Sequence, residues 1–225
     1  MRYVLIAMLV VMPWTLTRAA PSGGTVTGRV IVMGDDHAPV ANPQYVYVYL
    51  VPVTKRGKRY RPRPVQTTID QKDKQFSPHV RVVPIGSTIA FPNLDRIEHN
   101  VFSPIAPSFD LGRYGSKESR SRKFDDEVQF DIYCDIHRDM WAKVKVIPSE
   151  WFAPVDRGSF SITDVPPGTY QVHLWMPDSR EVIEDDLVTV ESGKTIALAH
   201  ALKIRAVPLQ TNHTRKDGSA YKLYP

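Results

Sequence analysis

No stretch of this chain repeats apolar residues at the i, i+3, i+4, i+7 spacing of an amphipathic helix. Short Val-rich runs recur instead, broken by nineteen prolines and twelve glycines, a pattern that favours strands and turns. The expectation is an all-β protein. Strands are predicted at 25–33 and 45–53, the latter with Val46, Val48 and Leu50 on one face and tyrosines on the other. Shorter ones follow at 65–69, 80–83, 87–91, 100–103, 127–134 and 140–147, a spacing that fits a sandwich or barrel. A third region from about Pro148 holds two strands joined at Pro166-Pro167-Gly168, with more at 187–190 and 195–204. Residues 207–225 are polar and read as an extended tail with no packed element.

Residues 1–19 have the form of an export signal: Arg2, an apolar stretch too short to span a bilayer, then small residues around Ala19, after which the cut is expected. No membrane anchor is expected after cleavage, and the mature chain is expected in the periplasm. Twenty-nine basic and twenty-four acidic residues give +5, which falls to +3 once Arg2 and Arg18 leave with the signal. Much of that excess sits in Lys55, Arg56, Lys58, Arg59, Arg61 and Arg63, either a solvated loop or a weak contact for anionic surfaces. Nucleic acid is not an expected partner of an exported chain. Asn212-His213-Thr214 matches a glycosylation acceptor, relevant only in a eukaryotic host.

A single cysteine, Cys134, cannot form an internal disulfide, so in an exported protein it is buried, paired between chains or bound to metal. Alternation puts Val128, Phe130, Ile132 and Cys134 on one face, and Met140, Ala142, Val144 and Val146 on the matching face of the next strand. Cys134 and Met140 then point into one interior, with His137 on the loop between them. His99, after a turn-rich segment, is placed to reach the same end. One thiolate, two imidazoles and a weak thioether suit copper that cycles between oxidation states, whereas Met is a poor zinc ligand. Met140 also fits as a core residue. His37, His79, His173, His200 and His213 have no ligand-like spacing and read as structural or surface residues.

Over about 65–148 these residues resemble the cupredoxins, the blue copper proteins. The Cys134-x-x-His137-x-x-Met140 spacing is similar to that of amicyanin, and His99-Asn100 resembles the His-Asn pair of plastocyanins. The resemblance implies a Greek-key β-sandwich and one type 1 copper, held by His99, Cys134, His137 and axial Met140, with Asn100 bracing the ligand loop. It also implies His137 as the electron port, with Ile136, Trp141 and Pro104-Ile105-Ala106-Pro107 as docking surface for a redox partner protein. Arg138 and Asp139 depart from the apolar or proline-containing loop of that family.

Around this segment, residues 24–64 and 149–206 resemble a prealbumin-like module, also called the carboxypeptidase regulatory-like domain. The resemblance rests on Gly158-x-Phe160, Asp164 to Tyr170 and the strands before the copper segment. It implies a second β-sandwich, split by insertion of the copper domain, the alternative being two consecutive domains divided near Pro148. The leading functional expectation is a non-enzymatic electron carrier. Copper delivery and a non-redox scaffold are the alternatives. No nucleophile elbow, phosphate loop or zinc-protease motif is present.

Overall fold

The computed structural model describes residues 23–55, 58–104 and 106–221, apart from the side chains at 185 and 186. The export signal at 1–19 lies outside the described residues, as do Arg56 and Gly57 of the basic run and Ile105 of the expected docking segment. The regular elements of the described residues are all strands, in keeping with the all-β expectation. First come β1 (Gly24–Met33) and β2 (Tyr47–Pro52). A central series follows: β3 (Gln66–Thr68), β4 (Asp70–Lys72), β5 (Gln75–Ser77), β6 (Val80–Pro84), β7 (Ser87–Pro92), β8 (His99–Ser103), β9 (Phe109–Tyr114), β10 (Ser119–Phe124), β11 (Gln129–Tyr133) and β12 (Trp141–Ile147). The last are β13 (Phe152–Pro154), β14 (Ser159–Val165), β15 (Gly168–Trp175), β16 (Val182–Val190), β17 (Thr195–Ala197) and β18 (Leu202–Arg205).

Strands β1 and β2 pair with strands from the end of the chain. β1 runs antiparallel to β14 and parallel to β17 and β18, while β2 lies between β13 and β15, with β16 at the edge. Alternation explains the packing. Val26, Val30 and Val32 from one sheet meet Val48, Leu50, Val172 and Leu174 from the other in a common core. The predicted strand 195–204 is two strands, because the chain leaves β1 after the Leu198 N–H bonds the Thr27 carbonyl and rejoins it at Leu202. A β-carbon at Gly28 would stand 2.6 Å from the Phe160 ring and 3.3 Å from Leu198, so only glycine lets both close over β1 there.

Between these halves, β6-β12-β11-β8-β9 and β10-β7-β3 form two facing sheets, with a β4–β5 hairpin alongside. Ile89, Phe91 and Phe124 from the smaller sheet pack on Phe130, Ile132, Val144 and Val146 from the larger. Strands β9 and β10 had no sequence signal. Ser119–Phe124 is exposed at its first three positions, and β9 carries Gly112 at a positive φ of 75° beside a register shift.

The two sandwiches meet through faces that alternation turns away from their own cores. Tyr49, Tyr47 and Val51 of β2 pack on Val80 and Val82 of β6 and Ile147 of β12. Lys143, only 1% exposed, bonds Asp131 at 3.0 Å and Asp178 at 2.9 Å, and Lys145 reaches Glu181 at 2.8 Å. Trp141, expected on the docking surface, is half-buried at this junction, stacked on His79 at 4.4 Å and edge-on to Tyr45 at 6.4 Å.

Candidate metal centre

His99 opens β8, Cys134 directly follows β11, and His137 sits in the short connection to β12. One backbone N–H···O bond at each end shapes that connection: Met140 N–H to the His137 carbonyl, and Cys134 N–H to the Met140 carbonyl, both 3.3 Å. The connection carries Cys134 and His137 to the side of His99. The Nδ1 atoms of His99 and His137 are 3.1 Å apart, and His137 Nδ1 is 3.7 Å from Cys134 Sγ. All three donor atoms lie within 4.8 Å of one another, and among the described residues this is the only such group of three or more His, Cys or acidic side chains. An ion about 2.0 Å from nitrogen and about 2.3 Å from sulfur separates such donors by roughly 3.3–3.7 Å, so the 3.1 and 3.7 Å pairs lie near the spacing that a single small ion would set. Met140 is fully buried in the same core cluster as Cys134.

The surroundings of each donor fix its orientation. Asn93 is buried; its side-chain N–H groups bond the carbonyls of Ile97 and Tyr114, and its Oδ1 accepts the Asp95 N–H, shaping the turn that presents Asp95. Asp95 Oδ2 lies 2.7 Å from His99 Nε2. Burial alone would raise the Asp95 carboxyl, but the Lys74 N–H, the His99 ring and the Asp73 N–H outweigh it and hold it below the usual range. An ionised Asp95 accepts a hydrogen bond from Nε2–H, leaving Nδ1 of His99 with its lone pair toward His137. Nothing in the sequence reading singled out Asp95; the available signal was an acid four residues before a ligand-like histidine.

Asn100 ties β8 to the ligand loop. Its backbone N–H points at Cys134 Sγ at 3.5 Å, its Oδ1 accepts the Asp135 N–H at 3.3 Å, and its Nδ2 bonds Asp110 at 2.7 Å. The Ile136 N–H also points at Sγ, at 3.5 Å. Burial pushes the Cys134 thiol up, opposed by the backbone N–H groups around it, so its thiolate needs a cation beside it. Burial and the neighbouring His99 both push the His137 imidazole down, which favours the neutral ring that can bind metal. Asp135, 2% exposed, is held by Arg113 at 2.7 Å.

His99 and Cys134 are fully buried, while His137 is half-buried and borders a cleft of about 820 Å³. Lys74, Arg113, Arg138 and Arg215 line it with Asp73, Asp135 and Asp139. The other histidines stand apart: His79 stacks on Trp141, His173 pairs with Glu181 at 2.7 Å, and His200 lies 3.2 Å from Glu184. His213 is stacked on Tyr133, with ring centroids 4.0 Å apart. No helix among the described residues is long and apolar enough to cross a membrane.

Residues 151–198 match the family model for domain II of polysaccharide lyase family 4, a different description from the prealbumin-like module that the sequence resembles. No curated protein matches the chain significantly. Among solved structures, the chain is similar to a copper-containing nitrite reductase from Thermus scotoductus, 25% identical with a TM-score of 0.34, over 43% of this chain and 25% of that one. The chain thus spans a quarter of that reductase's length. A purple cupredoxin from Nitrosopumilus maritimus is 20% identical, with a TM-score of 0.33 over 36% of this chain and 99% of its own. A reduced amicyanin variant is also 20% identical, with a TM-score of 0.35 over 36% and 82% of the two chains.

Proposed function

We propose that this chain is an exported one-copper protein, periplasmic and non-enzymatic, that carries single electrons between partner proteins. The observation that carries the reading is the convergence of His99 Nδ1, His137 Nδ1 and Cys134 Sγ, two imidazoles and a soft thiolate, around space for one ion. These three residues would hold the copper, with the buried Met140 sulfur as a fourth donor. Bound there, copper supplies a one-electron couple.

The protein's part is to hold the donors still. Asp95 orients His99, Asn100 locks the ligand loop to β8, and two backbone N–H groups face the thiolate. Donors fixed in this way move little when the charge at the site changes by one. Burial of His99 and Cys134 would keep water from the ion, and the half-buried His137 is the donor that a partner protein would approach. The partner meets the charged rim around that edge, where Lys74 and Arg138 are exposed. The connection should therefore weaken with salt.

Titrating the metal-free protein with Cu(II) and recording the visible spectrum tests the reading. An intense band at one equivalent, bleached by reductant and absent from Cys134→Ser, is expected. A colourless protein that takes up stoichiometric zinc, or a band that survives Cys134→Ser, would overturn it. Cu(I) transfer to an acceptor that outpaces electron exchange would replace the carrier role with copper delivery.

A further inference from the structure

The tail after β18 forms no strand, yet its contacts concentrate on the ligand loop and its braces. The Gln210 N–H bonds Asp178 at 2.7 Å, which tethers the tail near the junction. Beyond it, the His213 ring lies flat on Tyr133, with centroids 4.0 Å apart, and edge-on to Phe102 at 6.3 Å. The Lys216 N–H donates to Asp135 at 3.0 Å, its ammonium reaches Asp110 at 2.8 Å, and Arg215 Nε stands 3.6 Å from Asp135. Finally, the Tyr221 hydroxyl donates to the Cys134 carbonyl and lies 3.1 Å from His213 Nδ1.

These attachment points share a property. Asp110 and Asp135 are the two residues that Asn100 bonds through its side chain, and Cys134 supplies the thiol that Asn100 faces through its backbone. The tail therefore grips the same residues that Asn100 ties to β8. A polar segment without a core of its own would otherwise stay mobile, because ordering each residue costs entropy that only specific contacts offset. Here a stacked ring pair and hydrogen bonds to buried groups provide them.

We infer that residues 207–221 are a strap over the ligand loop, with Tyr221 and His213 as positioning residues that hold Cys134 in place and slow metal release. The metal-release half rests on the copper reading above; the strap itself does not. The loop can open only after Tyr221 leaves the Cys134 carbonyl. Because the strap continues from β18, the flanking sandwich contributes directly to the site.

The test compares the full chain with a chain ending at Ala206 and with Tyr221→Phe and His213→Ala. In metal-free protein, alkylation of Cys134 by iodoacetamide should speed up at least about tenfold on truncation and about fivefold in Tyr221→Phe, the factor expected for one hydrogen bond. The unfolding midpoint of Tyr221→Phe should stay near that of the parent, which separates positioning from general stability. In copper-loaded protein, release to a chelator should accelerate in the same order. Alkylation rates within about twofold of the parent in the truncated chain overturn the strap. Should truncation prevent folding, unchanged rates in both point variants do the same. A full chain that takes up no copper sinks the copper reading, while the alkylation rates still decide the strap.

Discussion

At the junction of the two sandwiches, Lys143 and Lys145 are buried among Asp131, Asp178 and Glu181, and each ammonium has a carboxylate from its own chain. At the ligand loop, His99, Cys134 and His137 are also drawn in from water, but the atoms they turn toward one another are all lone-pair donors. Both are polar clusters in apolar surroundings. One is complete as folded, and the other could hold a cation. Burial alone thus does not separate a structural polar cluster from a functional one; the identity of the facing atoms does.

The largest expected effect breaks this contrast at the metal end. Copper at about a thousand times its dissociation constant should stabilise the fold by about 4 kcal/mol, an increment lost in His99→Ala and measured by denaturant unfolding with and without metal. At the junction, Lys143→Met should cost about 3 kcal/mol, because Asp131 and Asp178 are left without their shared cation. That variant should keep the full copper increment; losing it would show that the clusters are not independent. Asp95→Asn sharpens the metal side: without a carboxylate on Nε2 of His99, copper affinity should fall about 10- to 100-fold in a competition titration, with the unfolding of metal-free protein little changed.

A pH dependence also belongs to the junction. Burial pushes the Glu181 carboxyl up, but His173, Lys145 and the Tyr49 hydroxyl outweigh it and bring it to about 2. In the unfolded chain the group takes up its proton near 4.5. Stability from these contacts is therefore fully present above pH 4.5 and drains away as pH falls toward 2. The unfolding midpoint should drop across that window and flatten in Glu181→Gln.

Much of this was legible from residue order where alternation was strong. Val26, Val30 and Val32, or Ala142, Val144 and Val146, declare their inner faces, and the Cys134-to-Met140 spacing puts thiol and imidazole on one short loop. The same alternation, followed further, turns Trp141 and Lys143 to the opposite face, where the second sandwich lies. Strands β9 and β10 escaped because edge strands with polar exposed faces lack a period. Asp95 and the strap escaped for another reason. Their roles depend on single contacts such as Tyr221 to Cys134, 87 positions apart, and no local pattern encodes such a contact.

Because Tyr49 of β2 pairs with Phe152 of β13, the stretch between them leaves and re-enters the flanking sandwich at neighbouring points. Unfolded, that stretch is a loop of roughly a hundred residues, whose closure entropy opposes any pairing of β2 with β13. Once folded, it acts as a short clamp that brings its two ends together. Folding of the central segment thus removes most of the closure cost of joining β2 to β13.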